Sequence, residues 1–387
     1  MRVLAAVDKF RGTATAAQVA ASIGHACWEN GHECIELPIA DGGEGTLEVL
    51  GGPNRTNRVT NPLGQPVDAQ WRLSRDVAVI EMARASGLVL VGGKLKNDVI
   101  AATTIGTGEL IDTALNDGAK RIIVCVGGSA TVDGGLGAIR AIKSAARLRG
   151  VEFLVACDVR AKFTDAAELF GAQKGASPAQ IEFLTSRLHA LVQTYKDEYG
   201  VDVSEIEGAG AAGGLAGGLA ALGAKLVPGF DIVADEVGLH EHINNCDVVI
   251  TGEGFLDEES FNGKVVGGVQ QLAIKAGKPV FVICGDAQPE QRSRIEAISL
   301  VESYGQEAAL EQTLTCIEKA AREYSRSVNQ PAAAGSGLPA RSVPSRINTL
   351  ASPMFPVSVG IGVGIGAVAT PPSVVATSAA AASLVGL

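Results

Sequence analysis

The sequence predicts an α/β protein built on parallel sheets, with a second α/β domain inserted into the first. Apolar runs of five or six residues, typical of buried strands, alternate with longer segments of helical periodicity. The runs lie near residues 2–7, 33–37, 121–126, 152–156, 247–251, 280–284 and 298–302. Polar glycine-rich segments follow two of them, at the strand ends where open α/β sheets bind ligands.

The amino terminus predicts the first strand and helix. Residues 1–8 form an apolar run that charge interrupts too soon for a secretory signal, so we interpret them as a buried strand. Thr15 is expected to cap a helix whose apolar positions recur at helical spacing through Cys27. Gly31 is the expected end of this helix.

A change of pattern predicts the inserted domain. Residues 57–81 contain short β segments around the turn sequence NPLG at 61–64. The strand-like DVVI at 247–250 then returns to a βαβ rhythm. We therefore expect one domain of residues 1–60 plus 244–325 and an inserted domain of residues 61–243.

The segment of residues 326–387 differs in composition from the rest of the chain. Beyond Arg326 it contains no Asp, Glu or Lys and is rich in Ala, Gly, Ser, Pro and Val, which is typical of disordered or linker-like chain. Its apolar part, residues 355–370, is glycine-rich and ends at Pro371 and Pro372, so a membrane anchor is the weaker alternative. We expect the segment to be dispensable.

Charge and cysteine content exclude several functions. The 387 residues carry 42 acidic and 32 basic side chains, a formal net charge of −10, which argues against binding to nucleic acid or an anionic membrane. The seven cysteines lack Cys-x-x-Cys spacing and are expected to be reduced core residues of a cytoplasmic protein. His240 and His242 would face different sides of a helix, which argues against a metal pair.

Three glycine-rich segments indicate where a ligand could bind: ADGGEGT at 40–46, VGGSATVDGG at 126–135 and EGAGAAGGLAGG at 207–218. Glycine lets backbone N–H groups approach phosphate oxygens, although structural turns are the alternative. Gly208, Gly210 and Gly213 match a dinucleotide fingerprint, with Asp231 at a suitable distance, but polar residues precede them where a strand is required. We expect these glycines to permit helix packing or to line the cleft. No Walker P-loop is present.

The second glycine segment has the groups that phosphoryl transfer needs: backbone donors, hydroxyls and a carboxylate. Asp133 is the expected catalytic carboxylate, and the alternative is that it caps the following helix. If it is catalytic, Asp133→Asn should lower kcat about a hundredfold with little loss of stability.

Charged side chains after three other strands are candidates for the same reaction. Asp41 and Glu44 could ligate a hard cation, or merely cap a helix. Lys9 and Arg11 could bind an anionic substrate, or be plain surface charges. Glu253, Asp257, Ser260 and Lys264 form a second group of acid, hydroxyl and cation.

Eight motifs in order give the chain a family resemblance. They are DKFRG (8–12), ADGGEGT, NPLGQPV (61–67), GTGEL (106–110), GGSATVDGG, FGAQKGA (170–176), GAGAAGG and TGEGFLD (251–257). Over residues 2–320 the chain resembles bacterial glycerate kinases of the first class. It departs from their usual pattern at DKFRG, where DSFKG is commoner, at Val132, where Asn is commoner, and at Phe255 and Leu256, where Arg-Ile is commoner.

The resemblance implies a flavodoxin-like domain interrupted by a distinct α/β domain, and phosphorylation of D-glycerate by ATP with Mg²⁺, at position 2. On this interpretation the catalytic residues are Asp133, Asp41, Lys9 and Arg11; the ATP-binding residues are Gly127, Gly128, Ser129, Thr131, Gly134, Gly135 and Lys264; the substrate-binding residues are Asp8, Gly42 and Gly43; and the metal ligands are Glu44, Glu253 and Asp257. A nicotinamide-dependent oxidoreductase and a non-catalytic sugar-acid sensor are the alternatives. The sequence leaves the oligomeric state open, a homo-oligomer included.

Overall fold

The computed structural model describes residues 1–261, 263–291 and 296–329. The strands are β1 (Arg2–Val7), β2 (Glu33–Pro38), β3 (Arg55–Thr60), β4 (Pro66–Ser74), β5 (Val77–Glu81), β6 (Arg121–Cys125), β7 (Glu152–Ala156), β8 (Lys225–Val227), β9 (Val248–Leu256), β10 (Val280–Ala287) and β11 (Ala297–Ser299). The α-helices are α1 (Ala16–Glu29), α2 (Thr46–Val49), α3 (Ala83–Ser86), α4 (Ile105–Asn116), α5 (Leu136–Ala141), α6 (Ala166–Phe170), α7 (Pro178–Tyr199), α8 (Leu215–Ala221), α9 (Gly229–Glu236), α10 (Leu239–Asn244), α11 (Val265–Lys275), α12 (Leu300–Tyr304), α13 (Gln306–Glu311) and α14 (Thr313–Asn329).

The first sheet has the strand order β11-β10-β9-β1-β2, and every neighbouring pair is parallel. Counted along the chain within this sheet, that order is the 2-1-3-4-5 arrangement of flavodoxin-like folds. The second sheet has the order β3-β4-β5-β6-β7-β8, antiparallel at β3-β4 and β4-β5 and parallel beyond. All six of its strands lie between β2 and β9 in the chain, which confirms the predicted fold class. The domain boundaries themselves stay predictions.

Strand β1 shows why a near-continuous apolar run forms the centre of this sheet. Val3, Ala5 and Val7 pack on one face with residues of α1 and α14, whereas Leu4 and Ala6 pack on the other face with residues of α9 to α11. Because helices cover both faces of a parallel sheet, successive residues of a central strand are all buried. Helix α9 also contributes Ile232 to the core of the second sheet, so it packs between the two sheets.

The first helix forms as predicted. Thr15 accepts a hydrogen bond from Gln18 N, and the Gln18 side chain accepts one from Thr15 N, which is a complete capping box. The helix ends at Glu29, with Asn30 as its C-cap, and the following Gly31 has a φ of +76°.

The last predicted strand is wrong in part. We expected a strand over 298–302, but β11 ends at Ser299 and α12 begins at Leu300. The reason is local, because the Ser299 hydroxyl accepts a hydrogen bond from Glu302 N and so caps a helix.

Gly213 in the third glycine segment permits close packing. Val203–Glu205 is a short 3-10 helix rather than the strand that a dinucleotide fingerprint needs. A Cβ atom at Gly213 would lie 1.9 Å from Thr131 O, so only glycine lets the residues before α8 approach the second glycine segment this closely.

All seven cysteines are free, as the sequence predicted. Within the described residues, no helix combines the length and apolar character needed to cross a membrane. Helix α14 includes the first four residues of the predicted low-complexity tail, 326–329. Its remainder, residues 330–387, lies outside the described residues.

Candidate active site

A cavity of about 630 Å³ lies where loops from both sheets meet. Asp8 follows β1, the 41–44 loop follows β2, and the 127–128 loop follows β6, so the carboxyl ends of parallel strands supply its polar wall, as is usual in open α/β sheets. Ten residues that the sequence predicted as site residues line it: Asp8, Lys9, Arg11, Asp41, Gly43, Glu44, Gly127, Gly128, Glu253 and Lys264.

Asp8 is a buried carboxyl group at the end of β1, with 7% of its surface exposed. Burial raises its pKa to about 6, and the negative charge of Asp41 adds to the rise while the Lys9 ammonium opposes it. The carboxylate accepts a hydrogen bond of 2.7 Å from Lys9 N. A carboxyl group with a pKa near neutrality can take up a proton at physiological pH.

Glu253 brings a second carboxyl group to the cavity from β9. Burial raises its pKa to about 7. Its Oε1 atom is buried and has no hydrogen-bond partner among the described residues. A buried carboxylate oxygen without a donor costs free energy unless a ligand satisfies it, so this atom points to a bound cation or proton.

Three cationic side chains line the same cavity as these carboxylates. Lys9 Nζ donates to the main-chain oxygen of Glu44 at 2.7 Å. Lys264 Nζ lies 3.2 Å from Glu259 Oε2 at the cavity edge. Arg11 is exposed and has neither an ion pair nor a hydrogen bond within the described ranges. The cavity therefore has both positive groups for an anionic ligand and negative groups for a cation.

The 127–128 loop lines the cavity and has unused backbone donors. In the described part of the chain, the N–H groups of Gly127 and Gly128 donate to no acceptor. A Cβ atom at Gly127 would lie 3.3 Å from Gly43 Cα, so the two glycine loops from different sheets are in close contact. Such free N–H groups form an anion-binding concavity.

Of the seven predicted ATP-binding residues, the structure brings only Gly127, Gly128 and Lys264 to this cavity. Asp133 lies outside it, where its Oδ2 accepts from Thr104 N at 2.9 Å and from Thr104 Oγ1 at 2.8 Å. Its carboxylate also accepts from Gly135 N and Gly137 N at the start of α5. These contacts favour the alternative in which Asp133 holds the start of the helix, and its catalytic role stays a prediction.

The remaining predicted residues outside the cavity have packing or capping contacts. Ser129 and Thr131 contact the buried Lys174. A Cβ atom at Gly134 would lie 2.6 Å from Leu191, and one at Gly135 would lie 3.1 Å from Gly218 Cα.

Two further predicted site residues also lie elsewhere. A Cβ atom at Gly42 would lie 2.5 Å from Gly229 Cα, so this glycine serves a close backbone contact rather than the cavity wall. Asp257 accepts from Ser260 N at 3.0 Å and stabilises a local turn.

Sequence reasoning missed two acidic residues close to the 41–47 loop. The buried Glu81 accepts from Gly45 N and Leu47 N, both at 2.9 Å, and so holds the loop that carries Glu44. Asp158 is exposed, lines a separate cavity and accepts from Gly229 N at 2.7 Å. Both follow or end apolar runs, a signal that could have found them.

Part of the cavity wall is apolar, and the sequence did not predict it. Phe255, Val301, Ala309 and Leu310 line it, and Phe255 and Leu310 are among the few large apolar side chains that are about half exposed. Val301 and Leu310 belong to short helices near the end of the described chain, and nothing in their local sequence marks a binding wall.

A second cavity of about 600 Å³ adjoins the first and shares Asp8, Lys9, Phe10, Arg11, Thr13 and Glu44 with it. It extends toward the start of α1 and Arg84. The DKFRG motif therefore separates two neighbouring cavities.

Comparison with known proteins gives a consistent result. The model of the glycerate kinase family matches residues 3–146 and 142–332. The chain is 40% identical to glycerate 2-kinase of Escherichia coli K12 over 325 residues, covering 74% of this chain and 85% of that one. It is 36% identical to a glycerate kinase of Bacillus subtilis, covering 85% and 98% respectively.

A solved structure agrees with the sequence matches. A Salmonella typhimurium LT2 protein, provisionally described as glycerate kinase 2, superposes with a TM-score of 0.71 at 33% identity. The match covers 85% of this chain and 98% of that one. The family match extends over most of the chain, and both named relatives are well above 30% identical to it. The chain therefore belongs to the glycerate kinase family of enzymes.

Proposed function

We propose that this enzyme transfers the γ-phosphoryl group of ATP to the 2-hydroxyl of D-glycerate, in the presence of Mg²⁺. The observation that carries the proposal is one cavity lined by three cations, Lys9, Arg11 and Lys264, by the carboxylates of Asp8, Asp41 and Glu253, and by the 127–128 loop with its free N–H groups. Phosphoryl transfer depends on positioning and on charge stabilisation, and these groups supply both.

The polar and apolar parts of the cavity wall suit the two ends of ATP. The N–H groups of Gly127 and Gly128 would bind phosphate oxygens. The apolar part, with Phe255, Val301 and Leu310, would cover the adenosine. A volume of about 630 Å³ falls within the range of nucleotide-sized pockets.

The carboxylates fit a magnesium ion. Mg²⁺ prefers oxygen ligands, and the buried Oε1 of Glu253 lacks a donor among the described residues. Glu253 and Asp41 are the residues that would hold the ion. When bound, Mg²⁺ would neutralise charge that develops on the transferred phosphates. Glu44 also lines the cavity and is an alternative ligand for the ion.

Asp8 is the group that we assign to the glycerate hydroxyl. In the transfer, the hydroxyl oxygen forms a bond to the γ-phosphorus, the bond from that phosphorus to the bridging oxygen of ADP breaks, and the hydroxyl proton moves to Asp8. Its pKa of about 6 suits a group that accepts a proton near neutral pH. Lys9 and Arg11 would bind the glycerate carboxylate.

Position 2 is the preferred site of phosphorylation because the Escherichia coli relative is named glycerate 2-kinase. The eight ordered motifs favour membership of the first class of bacterial glycerate kinases. The seven free cysteines favour a cytoplasmic location.

A coupled assay tests the proposal. Purified protein with ATP, Mg²⁺ and D-glycerate should release ADP, and ³¹P NMR should identify 2-phosphoglycerate. Assays without Mg²⁺ and with L-lactate in place of glycerate are the controls. No ADP release above these controls would contradict the kinase proposal, and 3-phosphoglycerate as the product would contradict only the position.

A further inference from the structure

Lys174 is a buried lysine that the proposed reaction leaves unused. It ends the 3-10 helix Ala172–Lys174 in the FGAQKGA segment, and only 3% of its surface is exposed. Its Nζ atom donates to Ser129 Oγ at 2.6 Å and to Thr131 O at 2.8 Å. These partners belong to the segment that directly follows the cavity loop at 127–128.

Asn97 contacts the same segment. Its Nδ2 atom donates to Ala130 O and to Lys174 O, both at 2.9 Å. Gly175, at φ +99°, permits this arrangement, because a Cβ atom there would lie 2.2 Å from Lys94 O. The 94–97 segment and Lys174 therefore hold residues 129–131 by one hydrogen bond at each residue.

Burying the charged ammonium group of Lys174 costs free energy. Burial lowers its pKa to about 7, and the negative charge of Asp133 only partly offsets this. Arg187, whose pKa burial also lowers, is a second cation beside the same carboxylate. The two hydrogen bonds to Ser129 Oγ and Thr131 O offset part of the cost of burying the charge.

We propose that Lys174 is a positioning residue, which fixes residues 129–131 and so holds the N–H groups of Gly127 and Gly128 toward the cavity. This inference rests on the proposed function in one respect, that the loop binds nucleotide phosphates. Positioning matters because a displacement of about 1 Å can lower phosphoryl-transfer efficiency a hundredfold.

Lys174→Met tests the proposal with two measurements that need no glycerate. Hydrogen exchange read by mass spectrometry should become faster in peptides covering residues 126–131, with exchange in the first sheet unchanged. The Kd for ADP, measured by calorimetry, should rise about tenfold. In the kinase assay the KM for ATP should rise similarly, with the KM for glycerate changed less than about twofold.

Lys278→Met is the matched control. Lys278 Nζ also donates to a main-chain oxygen, that of Cys246 at 2.6 Å, but it lines neither cavity. This variant should leave exchange at 126–131 and the Kd for ADP unchanged.

Ser129→Ala keeps the test decisive if Lys174→Met does not fold. It removes one acceptor of the ammonium without changing the backbone, and it should move both measurements in the same direction by a smaller factor. Wild-type exchange and ADP affinity in a folded Lys174→Met, or in Ser129→Ala where the lysine variant is unfolded, would overturn the proposal. If the wild-type enzyme binds ADP but makes no phosphoglycerate, the proposed function fails while the role of Lys174 is still decided.

Discussion

Lys9 Nζ donates to the main-chain oxygen of Glu44 at 2.7 Å, which joins the loop after β1 to the loop after β2. The two loops carry the DKFRG and ADGGEGT motifs, which are separated in sequence and together form one wall of the cavity. The lysine therefore has a structural bond as well as a charge that faces the ligand site.

Lys9→Ala and Arg11→Ala should separate these two contributions. Arg11 is exposed and unpaired among the described residues, so its loss should raise the KM for glycerate about tenfold without changing Tm. Lys9→Ala should raise KM and also reduce the free energy of unfolding by about 1 kcal/mol, because it loses a hydrogen bond. Arg58→Ala, an exposed arginine on β3, is the control, and unchanged KM values in both test variants would assign these cations to the surface.

Asp8→Asn should mainly lower kcat, whereas Asp133→Asn should mainly lower stability. Asp8→Asn removes the proposed proton acceptor and should lower kcat about a hundredfold with little loss of stability. Asp133→Asn leaves buried N–H and O–H donors without an acceptor, so it should cost about 1 to 3 kcal/mol of stability and change kcat less than about twofold.

Urea unfolding and steady-state kinetics on both variants check this contrast. A hundredfold loss of kcat in a stable Asp133→Asn protein would restore the expectation drawn from the sequence alone. Normal kcat in Asp8→Asn would move the proton acceptor to Asp41.

Glu253→Gln should stabilise the metal-free protein at pH 8 but not at pH 4.5. The pKa of Glu253 is raised by folding from 4.5 to about 7, so the folded state disfavours the ionised form. The resulting stability is fully present below pH 4.5 and is lost as the pH rises through 7. At 1.36 kcal/mol for each pKa unit, Glu253→Gln should gain about 1 to 3 kcal/mol at pH 8.

Unfolding by urea in EDTA at the two pH values gives the measurement, with the exposed Glu168→Gln as control. Added Mg²⁺ should stabilise the wild type at pH 8 more than it stabilises Glu253→Gln. Equal stability of wild type and Glu253→Gln at pH 8 would mean that the folded protein does not disfavour the charge.

Leu310→Ser should weaken ATP binding if the apolar part of the cavity wall covers the adenosine. Leu310 is 56% exposed, so the substitution should leave Tm unchanged while the KM for ATP rises about fivefold. Leu169→Ser is matched in chemistry, since Leu169 is 59% exposed and lines neither large cavity. Equal KM values for ATP in the two variants would remove Leu310 from the nucleotide site.

A chain that ends at residue 332 should retain wild-type kcat and Tm. The composition beyond that residue gives little specification of helix or strand, and the family match ends there. Truncation at residue 326 should reduce stability, because Arg326 Nε donates to Asn30 Oδ1 at 3.1 Å and α14 extends beyond Arg326. Loss of activity or solubility in the 332-residue chain would show that the tail contributes to the fold.

The positions of strands and helices were the features predicted most reliably from the sequence. The runs at 2–7, 121–126 and 152–156 are strands, and Thr15 caps its helix, because apolar periodicity and capping chemistry act over a few neighbouring residues. The error at 298–302 has the same origin, since a short apolar run does not distinguish a strand from a helix when Ser299 can cap.

The sequence by itself determined the chemistry available to this protein: carboxylates, cations and glycines after the strands of parallel sheets. Only the tertiary structure decided which of them meet. Asp133 and Asp8 both lie in motifs that follow a strand. The carboxylate of Asp133 accepts hydrogen bonds from N–H groups at the start of α5, whereas Asp8 lines the cavity. That difference depends on which loops lie side by side when two sheets pack, and contacts between distant segments leave no signal in local sequence.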